Sequence, residues 1–244
     1  MSRGNRRSER RTFKGRTLDV SLAQSSLNGL YRMQDKFASS VELPLQSQFW
    51  NVPMAHRLDQ GSEGACVGFA GAHCFGAEPL WQKVTRRIAR KFYKGAQQKD
   101  EWPGEKYEGT SVNGLMAFLK SKGWVGAYRW IYDLEELKRT ISFYGPVIMG
   151  SEWRTGCFEP DIADFIHFTG NVEGGHATCW IGVNMDLGYF VIQQSWGRQH
   201  GNDGQVKISF ADAEKLLRTR PQICFPEKRM MSSPAPSPWW KFWK

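Results

Sequence analysis

The sequence predicts an α+β fold, with a helical first half packed against an antiparallel sheet made by the second half. Three observations lead there. From Cys66 to about Ala77 nearly every residue is small or apolar, as in a helix buried on all sides. After Tyr144-Gly145-Pro146 the texture changes to short apolar segments, "PVIMGSEW", "HATCWIGVNM", "GYFVIQQSW" and "GQVKISF", which read as strands separated by turn residues. Helices come first and strands second, which argues against an alternating βαβ chain.

The elements follow in order. Residues 1 to 40 are polar and rich in Ser and Arg, and read as a flexible basic arm. "VELPLQSQFWNVP" reads as an extended lead-in to a domain spanning residues 41 to 226. After the buried helix, Leu80, Val84, Ile88 and Phe92 recur at i+4 among basic residues, the pattern of an amphipathic helix. "EWPGEKYEGT" is a loop by its Gly and Pro content. Residues 111 to 121 form a third helix, with Val112, Leu115, Met116 and Leu119 on one face. Asp133 followed by Glu136 resembles a capping box and starts a fourth, with Leu134, Leu137 and Ile141 inside. Residues 227 to 244, which include "SSPAPSPWWKFWK", are Pro-broken and low in complexity, and read as a disordered tail.

Composition excludes several classes. The chain has 244 residues, 41% of them apolar, enough for one sizeable core. No apolar run approaches a membrane span, and the first residues lack the apolar stretch of a secretory signal. The net charge of +9 resides in the ends: +6 in residues 1 to 16 and +3 in residues 227 to 244. Basic ends of this kind suit an anionic surface or nucleic acid, although a solvated end is the simpler reading. Five cysteines, with no close pairs, fit neither a disulfide framework nor a metal knuckle, so reduced thiols and a cytoplasmic setting are expected. There is no phosphate loop, dinucleotide fingerprint or metal-ligand spacing, so no cofactor is expected. Oligomeric state is not legible.

One cysteine stands in an unusual setting. In "DQGSEGACVGFA" a turn hands over to the buried helix at Cys66. A helix N-terminus supplies partial positive charge, which favours the reactive thiolate. Such a thiol needs a base, and histidine is the usual one. His73 lies inside the helical run, and His56 and His200 lie in loops without a supporting pattern. His176 opens an apolar strand after Gly174-Gly175, where backbone can approach another chain closely, and is the best candidate. Cys74 and Cys179 lie in apolar surroundings and read as packing residues.

The segments "DQGSEGACVGFA", "GGHATCWIGV" and "VIQQSWGRQHGNDGQVKI" together resemble the papain family of cysteine peptidases over about residues 41 to 225. The resemblance implies a papain-like fold with a central nucleophile helix against an antiparallel sheet half. It implies that Gln60 is the oxyanion-hole glutamine, Cys66 the nucleophile and His176 the general base. It places Gln194 where the family carries an asparagine behind the imidazole, followed by Ser195, Trp196 and Gly197. Trp196 would cover the His176–Gln194 contact, while Gly109 and Gly175 would lie along the substrate. The implied activity is peptide-bond hydrolysis through a thioester, with a polypeptide as substrate.

The pattern also departs from the family. Gln194 adds a methylene to the usual asparagine, Glu63 stands where relatives commonly carry a disulfide cysteine, and Val67 replaces an aromatic. Cys66 and His176 are 110 residues apart, and Cys66 and Gln194 are 128 apart. Both are shorter than the roughly 130–150 of papain and cathepsin chains. Only 65 residues precede Cys66, too few for the usual long inhibitory propeptide, so control by zymogen cleavage in its usual form is not expected. The set looks more like bacterial or bacteriophage members, which would place the chain in a host cytoplasm or a virion. Two other readings remain open: a catalytically weakened binding module, and a hydrolase of peptidoglycan peptides.

Overall fold

A computed structural model describes residues 12–13, 16–18, 20, 32–37, 44–102 and 107–228. The "WWKFWK" end and most of the basic residues of the first sixteen lie outside them. Two short strands, β1 (Thr12–Phe13) and β2 (Arg16–Thr17), pair with each other, and a one-turn helix α1 (Gln34–Phe37) follows. β3 (Gln48–Phe49) leads into the domain.

The helical half is α2 (Cys66–Gly76), α3 (Arg86–Gln97) and α4 (Val112–Ser121). Every residue of α2 is buried, as its composition predicts. Gly68 lets α3 approach closely, since a Cβ there would stand 2.4 Å from the Ala89 carbonyl oxygen. Phe75, Phe92 and Trp124 close the far side edge-to-face, with Phe92 and Trp124 ring centres 4.9 Å apart. α3 is amphipathic but begins later than the i+4 pattern suggests. Trp81 has a left-handed φ of 48°, which interrupts any helix, and the Thr85 hydroxyl caps the Ile88 N–H at 3.3 Å. Leu80 and Val84 therefore pack from a loop.

The sheet half is larger than the strand pattern indicates. β4 (Val125–Ile131) and α5 (Leu134–Phe143) precede β5 (Val147–Arg154), β6 (Val172–Asn184), β7 (Tyr189–Gln193), β8 (Gln205–Ser209), α6 (Phe210–Leu217) and β9 (Gln222–Lys228). The strand order is β4-β9-β5-β6-β7-β8, with antiparallel pairs throughout, and β3 pairs with Gly182 and Val183 of β6 on the edge opposite β7. Asp133 caps α5 by accepting the Glu136 N–H at 2.8 Å, while Glu136 reaches back to the Tyr132 N–H.

Alternation along the strands splits the core in two. Ile148, Ala177, Cys179, Ile181 and Cys224 pack with α2 and α4. Val147, Met149, Trp180, Ile223 and Phe225 pack with α5 and α6 on the other face. Part of the arm expected to be flexible is packed instead: Leu18, Val20 and Met33 are buried. The last strand runs to Lys228, so the domain reaches slightly past residue 226.

Candidate active site

Three chain segments build the site. The first is the turn before α2. The Asp59 Oδ1 accepts the Gly61 N–H at 2.8 Å, and the Gln60 N–H donates to the Ser195 carbonyl at 2.8 Å. Asp59 forms an antiparallel bridge with Trp196, so this turn is tied to the segment after β7. The Gln60 amide is oriented from both ends: its Oε1 accepts the Ser195 hydroxyl at 2.5 Å, and its Nε2 donates to the Glu63 carbonyl at 2.8 Å. Arg90 of α3 pairs with Glu63 at 2.8 Å and holds the turn from outside. Cys66 is then the first residue of α2, after Ala65, which has no capping side chain.

The second segment is β6. His176 lies opposite Ser151 of β5, and its neighbour Ala177 belongs to the same buried cluster as Cys66. The third follows β7. Gln194 is fixed through its main chain, its N–H donating to Gly204 O at 2.8 Å and its carbonyl accepting Gln193 Nε2 at 3.1 Å. Its side chain reaches His176 Nε2 with Oε1 at 3.0 Å. The extra methylene therefore does not lose the contact. Because an amide oxygen only accepts, this bond puts the ring hydrogen on Nε2, and Nδ1 of the neutral ring carries the lone pair.

Aromatic rings enclose the imidazole. Trp196 stacks on it at 4.7 Å between centres, with the planes 23° apart, and Trp153 meets it edge-on at 4.8 Å. Phe158 stacks behind Trp196 at 5.6 Å. Gln60, Cys66, His176 and Gln194 all have zero exposure. Trp153 was not singled out by sequence pattern; as the last apolar residue of "PVIMGSEW" it reads as ordinary strand packing. The role of Ser195 in turning the Gln60 amide was also invisible, because it depends on contact between segments 135 residues apart.

The remaining candidates are placed elsewhere or otherwise engaged. Gly109 donates its N–H to Tyr93 Oη at 3.1 Å, and its carbonyl accepts Gln97 Nε2 at 3.2 Å. Thr110, the next residue, is the one that pairs outward. His73 accepts the Leu58 N–H on Nε2 at 3.0 Å, and burial followed by the nearby His56 pulls its pKa down to about 3. His56 contacts the Gly76 carbonyl, and His167 contacts Asp161. None of the five cysteines is joined in a disulfide. Burial pushes the Cys157 thiol up to about 12, and raises those of Cys179 and Cys224 well above the ordinary range. Among the described residues no group of three or more His, Cys, Asp or Glu could hold a metal ion, and no helix is long and apolar enough to cross a membrane.

Solved structures share this architecture. Xylellain, a cysteine protease from Xylella fastidiosa, superposes with a TM-score of 0.58 at 16% identity, covering 86% of this chain and 91% of its own. The chain has the papain-like fold. A digestive procathepsin L2 from Tenebrio molitor superposes at 0.55 and 16% identity over 85% of this chain and 77% of its own. A procathepsin B from Trypanosoma congolense gives 0.55 at 12% identity, over 86% and 82%. At the sequence level, cathepsin B-like cysteine proteinase 6 of Caenorhabditis elegans is 30% identical over 78 residues, 31% of this chain. The matched stretch spans about a fifth, 21%, of that relative. No family model matches.

Proposed function

We propose that this papain-like chain is a cysteine peptidase, with Cys66 as nucleophile, His176 as general base and Gln194 as the residue that positions the ring. The observation that carries the reading is the His176 Nε2–Gln194 Oε1 bond of 3.0 Å beneath the Trp196 ring. That bond fixes the tautomer whose Nδ1 accepts a proton, and its enclosure strengthens it.

The reaction follows. The Cys66 thiol proton passes to His176 Nδ1, and the sulfur bonds to the carbonyl carbon of a peptide. The carbonyl electron pair moves to oxygen. Gln60 Nε2 and the Cys66 main-chain N–H donate to that oxyanion, each donor being worth about 3 kcal/mol in the transition state. Collapse breaks the C–N bond, and the leaving amine takes the proton from His176. Water then attacks the thioester with His176 as base, and the acid product leaves with Cys66 restored as a thiol. Ser195 and Glu63 hold the Gln60 amide in the required sense before substrate arrives. Five cysteines without a disulfide fit a reducing compartment such as cytoplasm.

The test is alkylation with iodoacetamide at neutral pH, with the adduct located by mass spectrometry. Rapid labelling at Cys66 that disappears in His176→Ala supports the pair. Slow, equal labelling of several cysteines would leave a binding module. Parallel digests of casein and of purified peptidoglycan peptides then separate the substrate classes.

A further inference from the structure

Positive charge in the folded domain is gathered on one helix. Residues 17 to 226 sum to zero, yet residues 81 to 99 hold seven Lys and Arg and no Asp or Glu. The rest of the domain therefore carries the balancing acidic surplus. Five of the seven cations, Arg86, Arg87, Arg90, Lys91 and Lys94, lie on α3, and all five are exposed. At about 100° per residue they fall within roughly 140° of the helix circumference. Ala89, Phe92, Tyr93 and Ala96 are buried on the other side.

This distribution is unfavourable for the helix itself. Arg86 and Arg90, Arg90 and Lys94, and Arg87 and Lys91 are like-charged pairs four residues apart, which repel. Arg86 and Arg87 open the helix, where main-chain N–H groups are already positive, and the first turn has no acidic residue. A face that needs only water mixes its signs. The domain answers two of the five cations: Arg90 pairs with Glu63 at 2.8 Å, and Arg86 Nη2 donates to the Gln60 carbonyl at 3.3 Å. Lys94 reaches the Gln97 amide oxygen at 3.5 Å and the Tyr93 ring at 4.9 Å, neither of them charged. Among the described residues, Arg87 and Lys91 pair with no carboxylate, and neither do Lys83 and Lys99 beside the helix.

The face specifies the chemistry of its partner. Four residues advance a helix by about 6 Å. The rows Arg86–Arg90–Lys94 and Arg87–Lys91 therefore offer cations at a step close to that between successive phosphates of one nucleic-acid strand. Guanidinium is the better fork for phosphate, and α3 supplies three. Ahead of the helix stands Trp81, 49% exposed and held at a left-handed φ of 48°. An exposed indole among cations is a surface on which an unpaired base stacks. An acidic peptide gives that indole nothing to stack on it. A lipid surface needs an apolar face, and Trp81 is the one large apolar residue exposed between residues 81 and 99.

We propose that the exposed face of α3, with Trp81 at its head, binds single-stranded nucleic acid through phosphate contacts and a stacked base. The site is separate from the cleft and does not depend on the reaction carried out there. Arg86 and Arg90 lie on the margin toward the Gln60–Glu63 turn, and Arg87 and Lys91 on the margin away from it. A strand is therefore held by Arg87, Lys91 and Lys94 with the Arg90–Glu63 pair kept. Contact led by phosphates is indifferent to base sequence and weakens steeply with salt.

The experiment follows the fluorescence anisotropy of a labelled oligothymidylate of about 20 nucleotides with the full chain, between about 50 and 300 mM salt. Arg87→Glu with Lys91→Glu should weaken binding at least about ten-fold. It should also lower the slope of log K against log salt by about 1.4, two phosphate contacts at roughly 0.7 each. Trp81→Gly, which suits the left-handed backbone, should weaken the single strand at least about five-fold and leave a duplex of the same length unchanged. A urea midpoint equal to that of the unaltered chain shows that the fold is intact. Arg87→Gln with Lys91→Gln gives the same direction if the charge reversal does not fold. The control is Arg10→Ser with Arg11→Ser in the basic arm. Binding lost in the control and kept in both α3 pairs overturns the proposal, because the arm is then the site. Displacement by polyglutamate as effective as by unlabelled oligothymidylate also overturns it, and makes the partner an acidic polypeptide. So does retention on phosphatidylserine vesicles without oligonucleotide binding, which makes the partner a membrane surface.

Discussion

The interior of α2 and the wall of β6 each hold a histidine with no exposed surface, His73 and His176, and the two are hydrogen-bonded in opposite senses. His73 takes a main-chain N–H onto Nε2, and burial holds it neutral down to about pH 3. It is a fixed acceptor that stitches the Leu58 loop to the helix. His176 instead gives its Nε2 hydrogen to a side-chain carbonyl and packs against two indoles, Trp153 and Trp196. Burial alone therefore does not set which tautomer an imidazole takes. The partner on the far nitrogen does, because it sets which nitrogen carries the proton.

The largest expected effect tests that contrast directly. His176→Ala should lower Cys66 alkylation and casein hydrolysis by about a thousand-fold, as loss of a general base does, while His73→Gln changes either by about three-fold at most. Rate assays on the two variants side by side would erase the distinction if the losses were equal.

The next effect concerns stability. His73 binds its proton at about pH 6.5 when unfolded and at about pH 3 when folded. Between those values the unfolded chain holds the extra proton, so stability falls as pH falls, by roughly 1 kcal/mol per unit, and the contribution is complete above pH 6.5. Urea midpoints at pH 7, 6, 5 and 4 should show this slope, flattened in His73→Gln. An identical slope in the variant would assign it to other groups.

A smaller effect sharpens the role of Gln194. Gln194→Ala should reduce kcat about ten-fold, roughly 1.4 kcal/mol, with KM little changed, because the residue acts through the ring. Its pH–rate profile should shift as well, which a packing defect would not produce. The smallest lies outside both regions. Arg90→Ala removes a half-exposed ion pair to Glu63 and should cost under about 1 kcal/mol in a urea melt.

How far the sequence foretold the structure depended on how local each cause was. α2, α4 and the α5 cap rest on composition or on contacts three and four residues apart, and could be read directly. The start of α3 could not, because a backbone turn at Trp81 overrides an unbroken i+4 pattern. β4 and β9 escaped notice because they stabilise each other across about a hundred residues rather than through a local pattern. The family motifs pointed to Cys66, His176 and Gln194, and the Ser195–Gln60 and Trp153–His176 contacts appear only when distant strands are brought together. The seating of Val20 on Gly175 was hidden for the same reason, although the adjacent glycines announced that something would come close.

β6 has a wider consequence. Its thirteen residues pair with β5 at one end and β7 at the other, with an irregularity between Trp180 and Gly182. Odd positions such as Ala177 and Cys179 face one core, and His176 meets the rings of the other. Inserting or deleting a single residue between His176 and Cys179 would put the imidazole on the other side of the strand from its rings while leaving composition nearly unchanged. Length variation in descendants of this chain, natural or engineered, is therefore confined to the stretch before the strand, where residues 159–171 form no regular element and can absorb a change of count.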